Sequence, residues 1–152
     1  RAEGMLLTVS VADCVPVYLV APRARAVALL HAGWRGVAAG IVERGIEVLL
    51  DAGEATADEL FLHLGPAICG ACYEVGPEVH EALGLDRPAG NRTVDLRFIA
   101  AARAVARGVS PERITASGYC TRCADSPFFS HRAGCAERQM GVIGIRTGSA
   151  GL

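Results

Sequence analysis

Residues 5–36 read MLLTVSVADCVPVYLVAPRARAVALLHAGWRG, and the class of fold turns on how they are parsed. Met5 to Val20 are rich in Leu, Val and Thr, which predicts one or two buried strands. Pro16, with no N–H to give to a ladder, marks a bulge or an edge. Pro22 ends that segment. Ala26 to Leu30 form a second apolar run leading into His31, and a loop, Ala32-Gly-Trp-Arg-Gly36, follows. Beyond it Val37, Ile41, Val42, Ile46, Leu49 and Leu50 recur near helical spacing. This predicts a helix over 37–50, ended by Gly53.

Working outward, Leu60 to Leu64 read as a short strand, and Gly65-Pro66 turns the chain into a loop holding Cys69 and Cys72. Pro77 is placed to be the first residue of a helix running to Leu83, since its missing N–H costs nothing there. Residues 86–93 read as an exposed loop. Asp95 is a good N-cap for a helix over Leu96 to Ala106, which Gly108 stops. Ile114 to Ala116 read as a strand and Gly141 to Ile145 as the closing one. Between them, residues 120–139 form a long polar loop, and such loops in compact domains usually serve function. Strands and helices alternate without repeat or linker, so the chain is read as one domain of mixed α and β class.

Composition narrows the function classes. The 152 residues carry a net charge of −1, with 51% hydrophobic and 20% charged residues, the balance of a soluble globular chain without a basic nucleic-acid face. All 15 basic residues are Arg, which excludes a Lys Schiff base or Lys general base. Asp13, Pro16, His31 and Arg35 interrupt the longest apolar stretches, so none reaches the ~20 residues of a membrane span. The chain opens at Arg1 without an initiator Met or secretory signal and enters a strand-like run almost at once. It is therefore read as a fragment of a longer domain, from the cytoplasm. The 6 cysteines, Cys14, Cys69, Cys72, Cys120, Cys123 and Cys135, are expected to be reduced, some of them binding metal.

Four groups of residues can carry chemistry. Cys14 and His31 each end a strand run, and thiolate and neutral imidazole are the ligands zinc prefers. Asp13 can orient such a ligand. Equally, both can be packing residues. Gly33-Trp-Arg-Gly36 precedes a helix, where free N–H groups and the Arg35 guanidinium suit phosphate or carboxylate; alternatively Arg35 is a surface residue over Trp34. Cys69-x-x-Cys72 and Cys120-x-x-Cys123 can together make a four-cysteine zinc site, although 47 residues separate the pairs, far more than in a zinc ribbon. Neither pair has the strand-to-helix setting of a redox motif. Lastly, Phe128-Phe-Ser-His-Arg132 offers Phe rings that can stack on a base or plug the loop, beside polar Ser130, His131 and Arg132.

Taken together, Val11-Ala-Asp-Cys-Val-Pro-Val17, His31-Ala-Gly-Trp-Arg-Gly36, Leu64-Gly-Pro-Ala67, Cys72-Tyr-Glu-Val-Gly76 and Phe128-Phe-Ser-His-Arg132 resemble the YfiH-like, laccase-domain-containing family, in its order and across nearly the whole chain. The resemblance implies an α+β fold, a layered α/β/β/α sandwich with mixed sheets. It implies one zinc held by Cys14, His31 and a second histidine upstream of Arg1; His63, His80 and His131 do not match that position. The activity it implies is phosphorolysis of adenosine, inosine, guanosine and methylthioadenosine, with deamination of adenosine. The partners are then a purine nucleoside and phosphate. Cys14, His31 and Arg35 are the expected catalytic residues, Arg35 for phosphate; Asp13, Glu74, Ser130 and Arg132 are the expected substrate contacts. Copper, which the family's older oxidase label implies, fits poorly because copper oxidases need several His-rich motifs. Two other readings use the same residues: a cysteine hydrolase with a Cys14–His31 dyad, and a non-catalytic module in which the C-x-x-C pairs bind a structural metal.

Overall fold

The structure, a computed structural model, describes residues 4–53 and 55–146. The opening stretch forms two strands and their return: β1 (Leu6–Val11), β2 (Val15–Ala21) and β3 (Ala26–Ala32). β2 and β3 make an antiparallel hairpin with Pro16 opposite His31 and Val15 opposite Ala32. β4 (Phe61–Leu64) pairs antiparallel with β2, and β7 (Ile114–Ala116) pairs parallel with β4. The sheet order is thus β3-β2-β4-β7. Pro16 therefore lies in an interior strand, not at an edge. It is tolerated because it stands one residue outside the last β2–β4 pair, and its carbonyl still accepts the Gly65 N–H at 2.9 Å.

One face of this sheet is the core. Val15, Val17 and Leu19 of β2 alternate with Leu62 and Leu64 of β4, all at most 1% exposed. Against them pack α2 (Ile41–Asp51) and α4 (Leu96–Ala106), which bury Val42, Ile46 and Leu49, and Ala100 and Ala104, respectively. The opposite face, carrying Pro16 and Tyr18, meets a ribbon of β1 and β8 (Gln139–Gly144), whose Gly141 is tight against both side chains. Helices, four-stranded sheet and two-stranded ribbon are three successive layers.

Two expectations need correcting. The single helix over 37–50 is two: α1 (Trp34–Ala38), which takes in most of the expected 32–36 loop, and α2. Gly40 breaks them with φ of 81°, a left-handed backbone that periodicity cannot reveal. Arg103 of α4 secures the corner by donating to Val37 O at 2.5 Å and Glu43 Oε1 at 3.2 Å. β1 is also mostly exposed, not buried. It pairs with β8 alone, and Leu6, Thr8, Ser10, Met140 and Val142 share a face that nothing covers among the described residues.

The remaining elements follow their local signals. Pro77 opens α3 (Pro77–Ala82), and the Asp95 carboxylate caps α4 by accepting from the Arg97 and Phe98 N–H groups. A short ribbon of β5 (Glu74–Val75) and β6 (Arg92–Thr93) lies between them. Residues 120–138 contain no helix or strand. No helix among the described residues is long and apolar enough to cross a membrane.

Candidate functional site

The open end of the β2–β3 hairpin is where the predicted residues gather. Val15 opposite Ala32 is the last pair of that ladder, so Cys14 and Gly33 come next across from each other. They touch: a Cβ on Gly33 would lie 2.9 Å from the Cys14 sulfur. The thiol thus needs a glycine at 33, and His31 stands two residues earlier at the same sheet end, exposed. Burial pushes the Cys14 thiol up from its ordinary pKa, the Asp13 carboxylate adds to this, and Arg138 opposes it.

Asp13 is 6% exposed and both its oxygens are engaged. Oδ1 accepts from the Thr121 hydroxyl at 2.6 Å and Oδ2 from the Arg132 N–H at 2.7 Å, while its own carbonyl accepts from Ile68 N–H at 3.1 Å. The carboxylate is therefore a strut. It binds the β1–β2 bend to two points in the long loop, over 100 residues away in sequence. Arg132 turns its guanidinium outward, stacks 4.9 Å over the Tyr73 ring and donates to the Glu74 carbonyl at 2.7 Å. The Glu74 side chain is exposed, and Ser130 is buried, its hydroxyl accepting from Ala133 N–H at 3.1 Å. Burial raises the Tyr73 phenol, Arg132 opposes this, and the nearby Cys14 and Asp13 charges add to it.

Cys14, Asp13, Tyr73 and Arg132 accordingly form one neighbourhood. Arg35 is exposed on α1, its guanidinium 4.4 Å from the ring centre of its neighbour Trp34. Sequence reading missed Thr121, Tyr73 and Arg138. Thr121 and Tyr73 lie inside motifs already singled out, but no local pattern assigns either a partner. A cleft of about 480 Å³ between α3 and α4, walled by Leu83, Val94, Phe98 and Ile99, takes in none of the expected site residues.

A second cluster lies beside the first. The sulfurs of Cys69, Cys72, Cys120 and Cys123 are all within 4.8 Å of one another, a group able to bind a metal ion. The sequence gap that argued against this is spanned by a crossover. β4 and β7 are adjacent and parallel, the Ala67–Cys120 bridge extends their pairing, and the two C-x-x-C loops leave the same end of the sheet. Burial raises the Cys120 thiol, but the backbone N–H groups of Cys69, Arg122 and Cys123 outweigh it and bring it down to about 6. Cys123, sharing its proton with Cys120, Cys72 and Cys69, is pushed up to about 12.

The molecule is thus a mixed α+β protein with four thiols placed so that they could bind a metal ion. The chain belongs to the family described as multi-copper polyphenol oxidoreductase laccase, whose family model matches residues 1–146. It is 40% identical to adenosine deaminase RL5 from an unknown prokaryotic organism over 97% of this chain and 58% of that protein. It is 35% identical to purine nucleoside phosphorylase YlmD of Geobacillus stearothermophilus, over 94% of this chain and 57% of that one. Among solved structures it superposes on that YlmD with a TM-score of 0.89 at 33% identity, covering 96% of this chain and 59% of that one. On Bacillus licheniformis YfiH the score is 0.88 at 29% identity, over 95% and 59%. The chain thus spans less than two thirds of the length of these relatives.

Proposed function

We propose that this chain carries the larger part of a zinc-dependent purine nucleoside phosphorylase that also deaminates adenosine. The observation that carries the reading is the contact of Cys14 with Gly33, two residues after His31 at the same sheet end, in the neighbourhood of Tyr73, Arg132 and Arg138. Two of its relatives bear the names of these two activities.

The donor set fits a catalytic zinc. Cys14 and His31 would supply a soft thiolate and an imidazole, and the group of three or more possible ligands found among the described residues includes neither of them. The remaining protein ligand in this reading is a histidine outside residues 1–152. Three protein ligands leave a coordination position free, through which zinc activates water or polarises a substrate oxygen. The four histidines favour zinc over copper, since they stand on β3, β4, α3 and the 120–138 loop and do not cluster.

The chain's own residues do the positioning. Asp13 holds the Cys14 bend and the Arg132 backbone in one frame, and Ser130 shapes the same loop. Arg132 lays a cationic plane over the Tyr73 ring, and the exposed Glu74 carboxylate is the contact this reading gives to sugar or base. Arg35 projects from the next element, where it supplies charge for phosphate as the sugar carbon becomes cationic.

The test is metal content and turnover measured together on the full-length enzyme. Cys14→Ala should lose one equivalent of zinc together with both phosphorolysis and deamination of adenosine. An enzyme active without metal and inactivated by alkylation of Cys14 would overturn the proposal. Arg35→Ala should raise the phosphate concentration needed for half-maximal rate about tenfold or more, as expected for a lost charge-assisted contact. An unchanged phosphate dependence removes Arg35 from that role.

A further inference from the structure

We propose that Cys69, Cys72, Cys120 and Cys123 hold a structural zinc ion, in a site separate from Cys14 and His31. A zinc–sulfur bond of about 2.3 Å in a tetrahedron sets neighbouring sulfurs about 3.8 Å apart. Here Cys72 and Cys123 are 3.7 Å apart, and Cys69 and Cys123 4.0 Å. These are free thiols, far beyond the ~2.05 Å of a disulfide. The backbone is arranged for charge on sulfur: the N–H groups of Cys69 and Arg122 point at Cys120 Sγ at 3.2 and 3.4 Å. Cys72 N–H returns to Cys69 O at 3.0 Å, closing a turn that brings this pair together. Four soft thiolates in a closed tetrahedral set leave no position for substrate, which makes the ion structural.

Its place in the fold says what it does. The ion joins the loop after β4 to the loop after β7, and each loop feeds the neighbourhood of Cys14. Thr121, next to Cys120, donates to Asp13, and Tyr73, next to Cys72, lies under Arg132. Arg122 adds a cross-tie by donating to the Cys72 carbonyl at 2.8 Å. The short strand β7 has three residues to hold the long loop in place, so a metal clamp at its end supplies what the sheet does not. Each thiol releases its proton as its sulfur takes the ion.

The experiment uses protein purified under reducing conditions without oxygen. Elemental analysis should find about one zinc per chain that survives the Cys14→Ala/His31→Ala double variant. Exchange with cobalt should give thiolate-to-cobalt charge-transfer bands of a four-sulfur site. Cys123→Ser should lose the ion, while Cys123→His should keep it with fewer thiolate bands, so a failure of the serine variant to fold does not decide the matter. Chelation should lower the melting temperature by about 10 °C, as loss of several stabilising contacts would in a domain of this size. The proposal is overturned by a metal that leaves with Cys14 and His31, by iron in place of zinc, by a Cys72–Cys123 disulfide in the intact mass, or by cobalt bands unmoved in Cys123→His. A zinc lost only from Cys14 and His31 would leave the nucleoside reading standing and remove this one.

Discussion

Asp13 sits with φ of 75°, a left-handed backbone that Asp and Asn enter several times more readily than most residues. That conformation aims its carboxylate inward, at Thr121 and the Arg132 N–H. Asp13→Ala removes two hydrogen bonds to a charge and leaves a strained backbone. It should therefore cost about 3 kcal/mol in urea unfolding, with Asp13→Asn costing roughly half because Asn keeps the backbone and one acceptor. Equal losses in the two variants would show that the charge, not the backbone, is what matters. Gly33 illustrates a second residue-scale constraint. Its backbone is ordinary, but a methyl group there meets the Cys14 sulfur at 2.9 Å. If Cys14 is a zinc ligand, as proposed, Gly33→Ala should lower zinc affinity of the full-length protein by about tenfold or more, with little change in melting temperature, since it displaces that sulfur without opening the core. The sequence marks 33 as glycine without saying why; the reason is a neighbour 19 positions earlier, brought there by the hairpin.

The helix α2 packs on the sheet through Gly45. A Cβ at 45 would lie 2.7 Å from Leu30 Cδ1 and 3.1 Å from Leu19 Cδ1, so the ends of two packed leucine side chains would have to shift to admit it. Gly45→Ala gains up to about 1 kcal/mol of helix propensity but overpacks at a cost of about 1–3 kcal/mol, so the net effect should be destabilisation, read as a lower urea midpoint. A rise in the midpoint would mean that α2 has room to move outward. Element identity was largely legible, because strand and helix periods and caps are local. The strands near 60–64 and 114–116, the Pro77 start and the Asp95 cap all lie where their signals put them. The break at Gly40 was not, because apolar spacing continues across it on both helices. Nor was the exposure of β1, because an apolar strand reads the same whether or not its outer face has a partner.

Burial raises the pKa of two phenols, and this gives the fold a response to alkaline pH. Tyr18 and Tyr73 are both raised, first by burial; a backbone contact with Val142 opposes this for Tyr18, and Arg132 opposes it for Tyr73. A raised folded pKa means that the native state keeps its proton where the unfolded chain loses it. This contribution is complete below the unfolded phenol pKa of about 10 and is lost as pH rises through the higher folded values. Urea midpoints should thus fall as pH rises above about 10, and Tyr73→Phe or Tyr18→Phe should flatten the decline. A Tyr73→Phe curve parallel to the parent would place the alkaline loss elsewhere.

The sequence by itself determined the mixed α+β class, most element positions, the family, and Cys14 and His31 as the residues to watch. These rest on local periodicity, on caps and on contiguous motifs, which need no knowledge of what lies across the fold. Only the tertiary structure decided that Asp13 is a buried strut to Thr121 and Arg132, and that Tyr73 lies under Arg132. It also decided that two cysteine pairs far apart in the chain share one point in space. The physical reason is the parallel β4–β7 pair: a crossover connection makes neighbours of residues about 50 positions apart, and the distance between them in the chain carries no record of it.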